Sequence, residues 1–287
     1  MASLSIRSAA AACISCLIFA SCHRVIASEC SSDDPGNSNT RERVILSSAP
    51  RVYRLHGLLS SEECDELIAL GEPRLRASEM GAASDASTRD ADNPASSRDS
   101  RSMFFDSPSD AGNRLLQRLR VRWAVAADLP LSHAEPTQLA RYADGEHYGL
   151  HLDASEEVPR TATLLTYLSD GFEGGETCFP RVAAEPAADS ADGATAPARS
   201  GGVMRPLAKL AAAGLLAREL AKGSQYCSRS RAVLRVVPQK GDGLLFFPLH
   251  PDGTLDHDTV HGGCAVHGPQ GVKWIAQQWF SLEAQDL

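Results

Sequence analysis

From Arg160 onward the chain is written in short runs of β-branched and aromatic residues, broken by Pro, Asp and Gly, and this punctuation limits the folds open to it. The runs cover 160–168, 171–180, 232–237, 241–247, 259–266 and 272–280. Strands this closely spaced, with turns between them, argue against βαβ winding and for a closed antiparallel arrangement. The expected fold class is mainly β with flanking α, a double-stranded β-helix (jelly roll) core with N-terminal helices packed on it.

The helices belong to the first half. Ser60 followed by Glu63 forms a capping box, and Leu59, Leu67 and Leu70 lie at helical spacing, so a helix starts there and ends at Gly71 or Pro73. A second helix is predicted over 111–127, its apolar stripe facing core. Arg51 to His56 alternates as a strand, and strand-like order resumes at Ser102. Residues 78–100, rich in Ala, Ser, Asp and Arg, read as a loop beside the scaffold.

Arg7, an apolar run over 9–20 and the small-residue site Val25-Ile-Ala27 make 1–27 a signal peptide or signal anchor. Entry to the secretory pathway, with the endoplasmic reticulum as the expected location, follows from it, and any membrane attachment is through that segment. Residues 28–47 are polar and read as a flexible linker, with folding expected from near Pro50. An N-terminal support region then spans 48–135 and the β-rich domain 136–283. That domain is interrupted by a low-complexity insertion at about 182–230, with an accessory helix over 206–222. Net charge is −8, which excludes a phosphate-binding surface and hence nucleic acid as partner. Removal of the leader leaves Cys30, Cys64, Cys178, Cys227 and Cys264, an odd number whose pairing the sequence does not decide.

Chemistry concentrates in a few places. His151 and Asp153 are two apart in a segment that reads as strand, which turns both to one face. The only similar pair, His250-Pro251-Asp252, is turn chemistry. A metal needs a third ligand, and His261, opening the His261-Gly-Gly-Cys264 turn, is preferred to His257 because flanking glycines let a histidine approach closely. Two histidines and a carboxylate leave coordination positions open, as in non-haem iron(II) oxygenases. A zinc reading through the His147/His151 or His257/His261 spacing fails on the Gly-broken, non-helical surroundings. Lys273 is one of only four lysines and stands in an otherwise apolar strand.

The residues Arg141-Tyr142-x-x-Gly145-x-x-Tyr148-x-x-His151-x-Asp153, Arg160-x-x-Thr163-x-x-x-Tyr167-Leu168, Gly174-Gly-Glu-Thr177-x-Phe-Pro180, Lys240-Gly-Asp242-x-Leu244-Leu-Phe246, His261-Gly-Gly-Cys264 and Lys273-Trp274-x-x-x-x-Trp279 resemble the catalytic domain of prolyl 4-hydroxylases. The resemblance runs from about Gln138 to Phe280. It implies that His151, Asp153 and His261 hold Fe(II), that Lys273 pairs with the far carboxylate of the cosubstrate 2-oxoglutarate, and that Tyr142 and Thr177 line its pocket. Tyr148, Arg160 and Trp279 match positions near a peptide groove. The implied reaction hydroxylates peptidyl proline at C4, in proline-rich polypeptides of the procollagen or hydroxyproline-rich type. It consumes O2 and 2-oxoglutarate and yields succinate and CO2, with ascorbate rescuing oxidised iron. The alternatives are a 2-oxoglutarate-dependent hydroxylase of another residue or small molecule, and a non-enzymatic metal-binding jelly-roll module. The sequence departs from the pattern in Ala265, in an enlarged turn over 268–271 and in the long insertion. Oligomeric state is not legible.

Overall fold

In the computed structural model, which describes residues 42–78, 98–183, 227, 233–268 and 271–285, the chain joins its first sheet earlier than its composition suggests. Strand β1 (Arg43–Ser48) pairs antiparallel with β2 (Arg51–Leu55), so the linker expected over 28–47 ends at least five residues sooner. Two contacts account for this. The apolar run Val44-Ile-Leu46 lends itself to extended pairing, and the Arg43 guanidinium stacks 3.9 Å from the Tyr53 ring centre. The leader, the middle of the 78–100 loop and nearly all of the 182–230 insertion, with its helix over 206–222, lie outside the described residues. Among those described, no helix is long and apolar enough to cross a membrane.

Helix α1 (Ser61–Gly71) starts at the expected capping box: the Glu63 N–H donates to Ser60 Oγ and the Ser60 N–H to the Glu63 carboxylate. It ends in a 3-10 turn over Glu72–Arg74 that holds Pro73. Gly71 lies against Leu139, with no room for a Cβ between them. Ser60→Ala removes one end of the box and is expected to cost about 1 kcal/mol, read as a lower urea midpoint with unchanged slope. An unchanged midpoint would mean that packing alone holds the helix.

The second helix begins later than predicted. A single turn, α2 (Pro108–Ala111), comes first, and Asn113 then caps α3 (Arg114–Ala127) by accepting from the Leu116 N–H. Leu115, Leu116, Leu119 and Trp123 on α3 are buried with Leu67 of α1 against the larger sheet. Each such side chain contributes roughly 1.5–3 kcal/mol by leaving water.

The remaining strands are β3 (Arg76–Ala77), β4 (Arg101–Phe105), β5 (Thr137–Tyr142), β6 (Tyr148–His151), β7 (Arg160–Tyr167), β8 (Glu173–Gly174), β9 (Thr177–Ala183), β10 (Val233–Val236), β11 (Gly243–Phe246), β12 (His261–Gly263), β13 (Val266–His267) and β14 (Lys273–Ser281). They form an eight-stranded sheet in the order β1-β2-β11-β7-β14-β5-β4-β3, a four-stranded sheet β10-β9-β12-β6 and a short pair β13-β8. Every ladder is antiparallel, and the core between the sheets mixes Leu165, Tyr167, Leu244 and Ile275 of the larger with Phe179 and Val236 of the smaller. This is the mainly β jelly roll that the spacing of the runs predicts. The boundary drawn at 135/136 does not separate two bodies, because β1 to β4 complete the same sheet as β5, β7, β11 and β14. Asp242 ties the halves: its carboxylate accepts from Arg54 Nε at 2.8 Å and from the Gly57 N–H at 3.0 Å, and faces His56 Nδ1 at 2.9 Å.

The candidate active site

Strands β6 and β12 are neighbours in the smaller sheet, with His261 opposite His151. The strand stops at His151, so Asp153 does not continue its alternation; it stands just beyond the strand end and still turns to the same point. Its Oδ1 is 3.3 Å from His151 Nε2 and its Oδ2 is 3.8 Å from His261 Nε2. The three ligand atoms all lie within 4.8 Å of one another.

Both imidazoles are set in one tautomer. The Nδ1–H of His151 donates to the Gly149 carbonyl at 2.9 Å, and that of His261 to the Thr259 carbonyl at 3.0 Å. Each Nε2 is thereby left facing the cluster, and His151 Nε2 is buried with no hydrogen-bond partner among the described residues. Aromatic rings fix the planes: Tyr148 stacks on His151 at 3.8 Å, while Phe179 and Phe246 pack on His261 at 5.4 and 4.7 Å.

Burial, and then the neighbouring His151, push the His261 imidazolium down to about 4, so the ring is neutral at neutral pH. For Asp153 burial acts upward, but the adjacent His261 and His151 outweigh it and hold the carboxyl below its usual range. Two imidazoles, a carboxylate and an orphaned buried Nε2 suit a divalent iron with open positions. Thr163 on β7 donates its hydroxyl to Asp153 Oδ2 at 2.8 Å and so aims the carboxylate. Thr163→Val is expected to weaken divalent metal binding about 10- to 100-fold, measured by titration with Mn(II). An unchanged affinity would show that packing alone orients Asp153.

Lys273 opens β14 and is 3% exposed. Its Nζ donates to the Gly175 carbonyl at 2.7 Å and lies 5.5 and 5.8 Å from the ring centres of Tyr142 and Tyr167. Burial lowers the ammonium to about 8, so it is a cation that, among the described residues, has no hydrogen-bonded carboxylate. Gly175 makes room for it: at φ +69° a Cβ would strike the Phe172 ring and press on the lysine stem. Gly174-Gly175 is therefore both a turn and the seat of the lysine.

Tyr142 and Thr177 line the pocket between Lys273 and the two histidines, and Thr177 Oγ1 accepts from the Tyr167 hydroxyl at 2.9 Å. Tyr148 also borders it, with the Arg98 guanidinium 4.6 Å over its outer face. Arg160 and Trp279 lie on the other side of Asp153. Arg160 grips Glu135 through two hydrogen bonds of 2.8 Å, donates to the Asp153 carbonyl at 3.0 Å and stacks 4.3 Å over Trp279. It braces the Asp153 backbone. His257 sits in a 3-10 turn (His257–Thr259) and is not in the cluster. A larger cleft, lined by Arg43, Arg51, Tyr53 and Phe247, holds none of these groups.

Several site residues have no signature in the sequence. Glu135 acts through Arg160, 25 residues away, and Thr163, though it stands in a quoted motif, shows its role only through its bond to Asp153. Gln277 lines the pocket with its buried Oε1 lacking a partner, yet in sequence it is one amide of two in a strand. Period-2 alternation from Lys273 would have pointed to it.

Comparison with known proteins agrees with this geometry. Residues 137–281, just over half of the chain, match the 2OG-Fe(II) oxygenase superfamily. Prolyl 4-hydroxylase 1 of Arabidopsis thaliana is 30% identical over 257 residues, an alignment covering 84% of this chain and 72% of that protein. Probable prolyl 4-hydroxylase 7 of the same plant is 29% identical over 246 residues, 83% of this chain, and the chain spans 65% of its length. Among solved structures, the viral collagen prolyl hydroxylase of Paramecium Bursaria Chlorella virus-1, as its 2OG complex, superposes with TM-score 0.46 at 22% identity, over 80% of this chain and 95% of that one. On these matches the chain is a member of the 2OG-Fe(II) oxygenase superfamily and, within it, of the prolyl 4-hydroxylase family.

Proposed function

We propose that this protein is a peptidyl-proline 4-hydroxylase that uses Fe(II), 2-oxoglutarate and O2 and releases succinate and CO2. The observation that carries the reading is the buried lysine facing the same pocket as the His151, Asp153 and His261 cluster. A metal cluster alone suits many chemistries, whereas a buried cation behind it suits a dicarboxylic cosubstrate held by both ends. His151, Asp153 and His261 would hold the iron. When bound, the iron supplies the O2 activation that no side chain can perform.

The chain's own residues do the rest. Lys273 neutralises the far carboxylate of 2-oxoglutarate, and Tyr142 and Thr177 bound its pocket. Phe179, Phe246 and Ile275 keep the interior apolar, which protects reactive species from water. On the outer side the half-exposed Phe104 packs on Trp279 and offers an aromatic surface, and Tyr148 lies under the Arg98 guanidinium. Such a surface suits an extended polyproline II segment, whose preformed shape lowers the entropy cost of docking. Similarity to prolyl 4-hydroxylases supports this substrate class. The secretory location read from the leader is part of the proposal, and the disulfide described below supports it.

The test is anaerobic loading with Fe(II) and 2-oxoglutarate, then exposure to O2 with ascorbate and either a proline-rich or a lysine-containing peptide. Succinate release with a gain of about 16 Da on the proline-rich peptide is expected, the mass of the one oxygen atom inserted. Succinate released only with the lysine peptide would sink the proline assignment, and no turnover with any peptide would sink the peptide assignment.

A further inference from the structure

Beside the pocket, in the small core cluster that holds Leu150 and Val260, three sulfurs meet. Cys178 on β9 lies opposite Gly262 of β12, and Cys264 follows two positions further along the same edge. Cys227, half-buried, is bonded to Cys264 in a disulfide. Cys178 remains a thiol, fully buried, with its Sγ 3.2 Å from Cys264 Sγ. All three sulfurs lie within 4.8 Å of one another.

A disulfide needs only a shield from reductants to be structural. A third sulfur in contact with one of its atoms makes it a substrate for exchange. We propose that Cys178, Cys227 and Cys264 form a thiol–disulfide exchange site in which Cys178 displaces Cys227 from Cys264, and that the exchange changes the affinity of the adjoining pocket. The Cys178 sulfur loses its proton and attacks Cys264 Sγ. The Cys178–Cys264 bond forms as the Cys227–Cys264 bond breaks, and the Cys227 sulfur leaves and is protonated. One disulfide and one thiol stand on each side, so no external oxidant or reductant is consumed.

The surroundings favour Cys227 as the leaving group. It is the most exposed of the three, while Cys178 and Cys264 are 0% and 5% exposed. Arg235 donates to the Cys227 carbonyl at 2.6 Å and reaches to 4.0 Å from Cys178 Sγ, so one guanidinium holds the disulfide's backbone and faces the attacking sulfur. Burial raises the Cys178 thiol to about 11, so attack proceeds through a small thiolate fraction that the nearby Arg235 favours. The link to the site is short. Cys264 follows His261 by three residues, borders the pocket, and is held by its N–H to the Glu176 carbonyl at 2.9 Å, next to the Gly175 that seats Lys273.

The test uses the full chain, reduced, reoxidised in air, quenched in acid, alkylated, digested without reduction and mapped by mass spectrometry. Wild type is expected to give both a 227–264 and a 178–264 cross-linked peptide, and Cys227→Ser to give 178–264 alone. A wild-type map with 227–264 only, or two alkylated thiols in folded Cys227→Ser, would overturn the exchange. Should Cys227→Ser fail to fold, the wild-type map decides. The second arm measures 2-oxoglutarate affinity with Mn(II) by tryptophan fluorescence. Oxidised Cys227→Ser is expected to bind about fivefold more weakly than wild type or more so, and Cys178→Ser like wild type; equal affinity in all three overturns the coupling. This arm rests on the cosubstrate reading, and absence of binding to wild type would fail that reading while leaving the disulfide map as it stands.

Discussion

Exchanging Asp153 for asparagine is expected to remove iron-dependent hydroxylation, by about a thousandfold or more, while the protein still folds. The amide keeps the shape of the carboxylate and can still accept from the Thr163 hydroxyl that now donates at 2.8 Å. What it loses is the charge. A buried site of two imidazoles and an amide then has no anion to balance a divalent ion, and desolvating the metal there is no longer compensated. Affinity for Mn(II) or Fe(II) should fall by about a hundredfold, about 2.7 kcal/mol. Anaerobic metal titration beside a thermal melt checks it. If the variant keeps more than about a tenth of the wild-type affinity, a change below 1.4 kcal/mol, Asp153 is not a ligand.

The second large effect belongs to Lys273. Its replacement by alanine leaves the far carboxylate of 2-oxoglutarate buried beside Tyr142 and Tyr167 with no cation. Truncating one partner of a buried charge pair costs about 2–5 kcal/mol, so affinity should fall by about 30-fold to several thousandfold. The pH dependence gives an independent sign. Burial holds the ammonium near 8, below its ordinary 10.5, so the empty protein loses this proton as pH rises through about 8. Affinity for 2-oxoglutarate should be level below that point and fall about tenfold per unit above it, with proton uptake on binding. Stability of the empty protein moves the other way. Between about 8 and 10.5 the unfolded chain binds the proton that the folded one has shed, so this group raises stability with pH across that window. Calorimetry at pH 7.5 and 9 in two buffers of different ionisation heat separates the two slopes. Affinity rising over that range would show that the lysine is not the carboxylate's partner.

The parts of the site that the sequence discloses share one property: each is a residue whose type is costly to place in its surroundings. His151, Asp153 and His261 stand in β-rich runs where imidazole and carboxylate have no packing reason to be, and Lys273 interrupts an apolar strand. The helix at Ser60 was legible for a local reason, because a capping box is written in four consecutive residues. What escaped depends on distance along the chain. Glu135 meets Arg160 from the far side of β14, and Cys178 finds Cys264 only because β9 pairs with β12. Strand β1 escaped because the stretch before it is polar in sequence, and composition averaged over that stretch conceals a six-residue strand. Arg160 was expected beside a substrate. Its hydrogen bonds to Glu135 and the Asp153 carbonyl add a bracing role that the sequence does not disclose.

Strand β14 carries a further consequence. Lys273, Ile275 and Gln277 face the pocket at alternate positions, and β5 and β7 bond the strand along both edges. With a rise of about 3.3 Å per residue, the Cα atoms of Lys273 and Gln277 are about 13 Å apart, and neither can drift. His151 and His261 border the same pocket from the other sheet. A diacid held between them and Lys273 would meet anchors that the ladders do not let slide, so length as well as charge would decide which diacid fits.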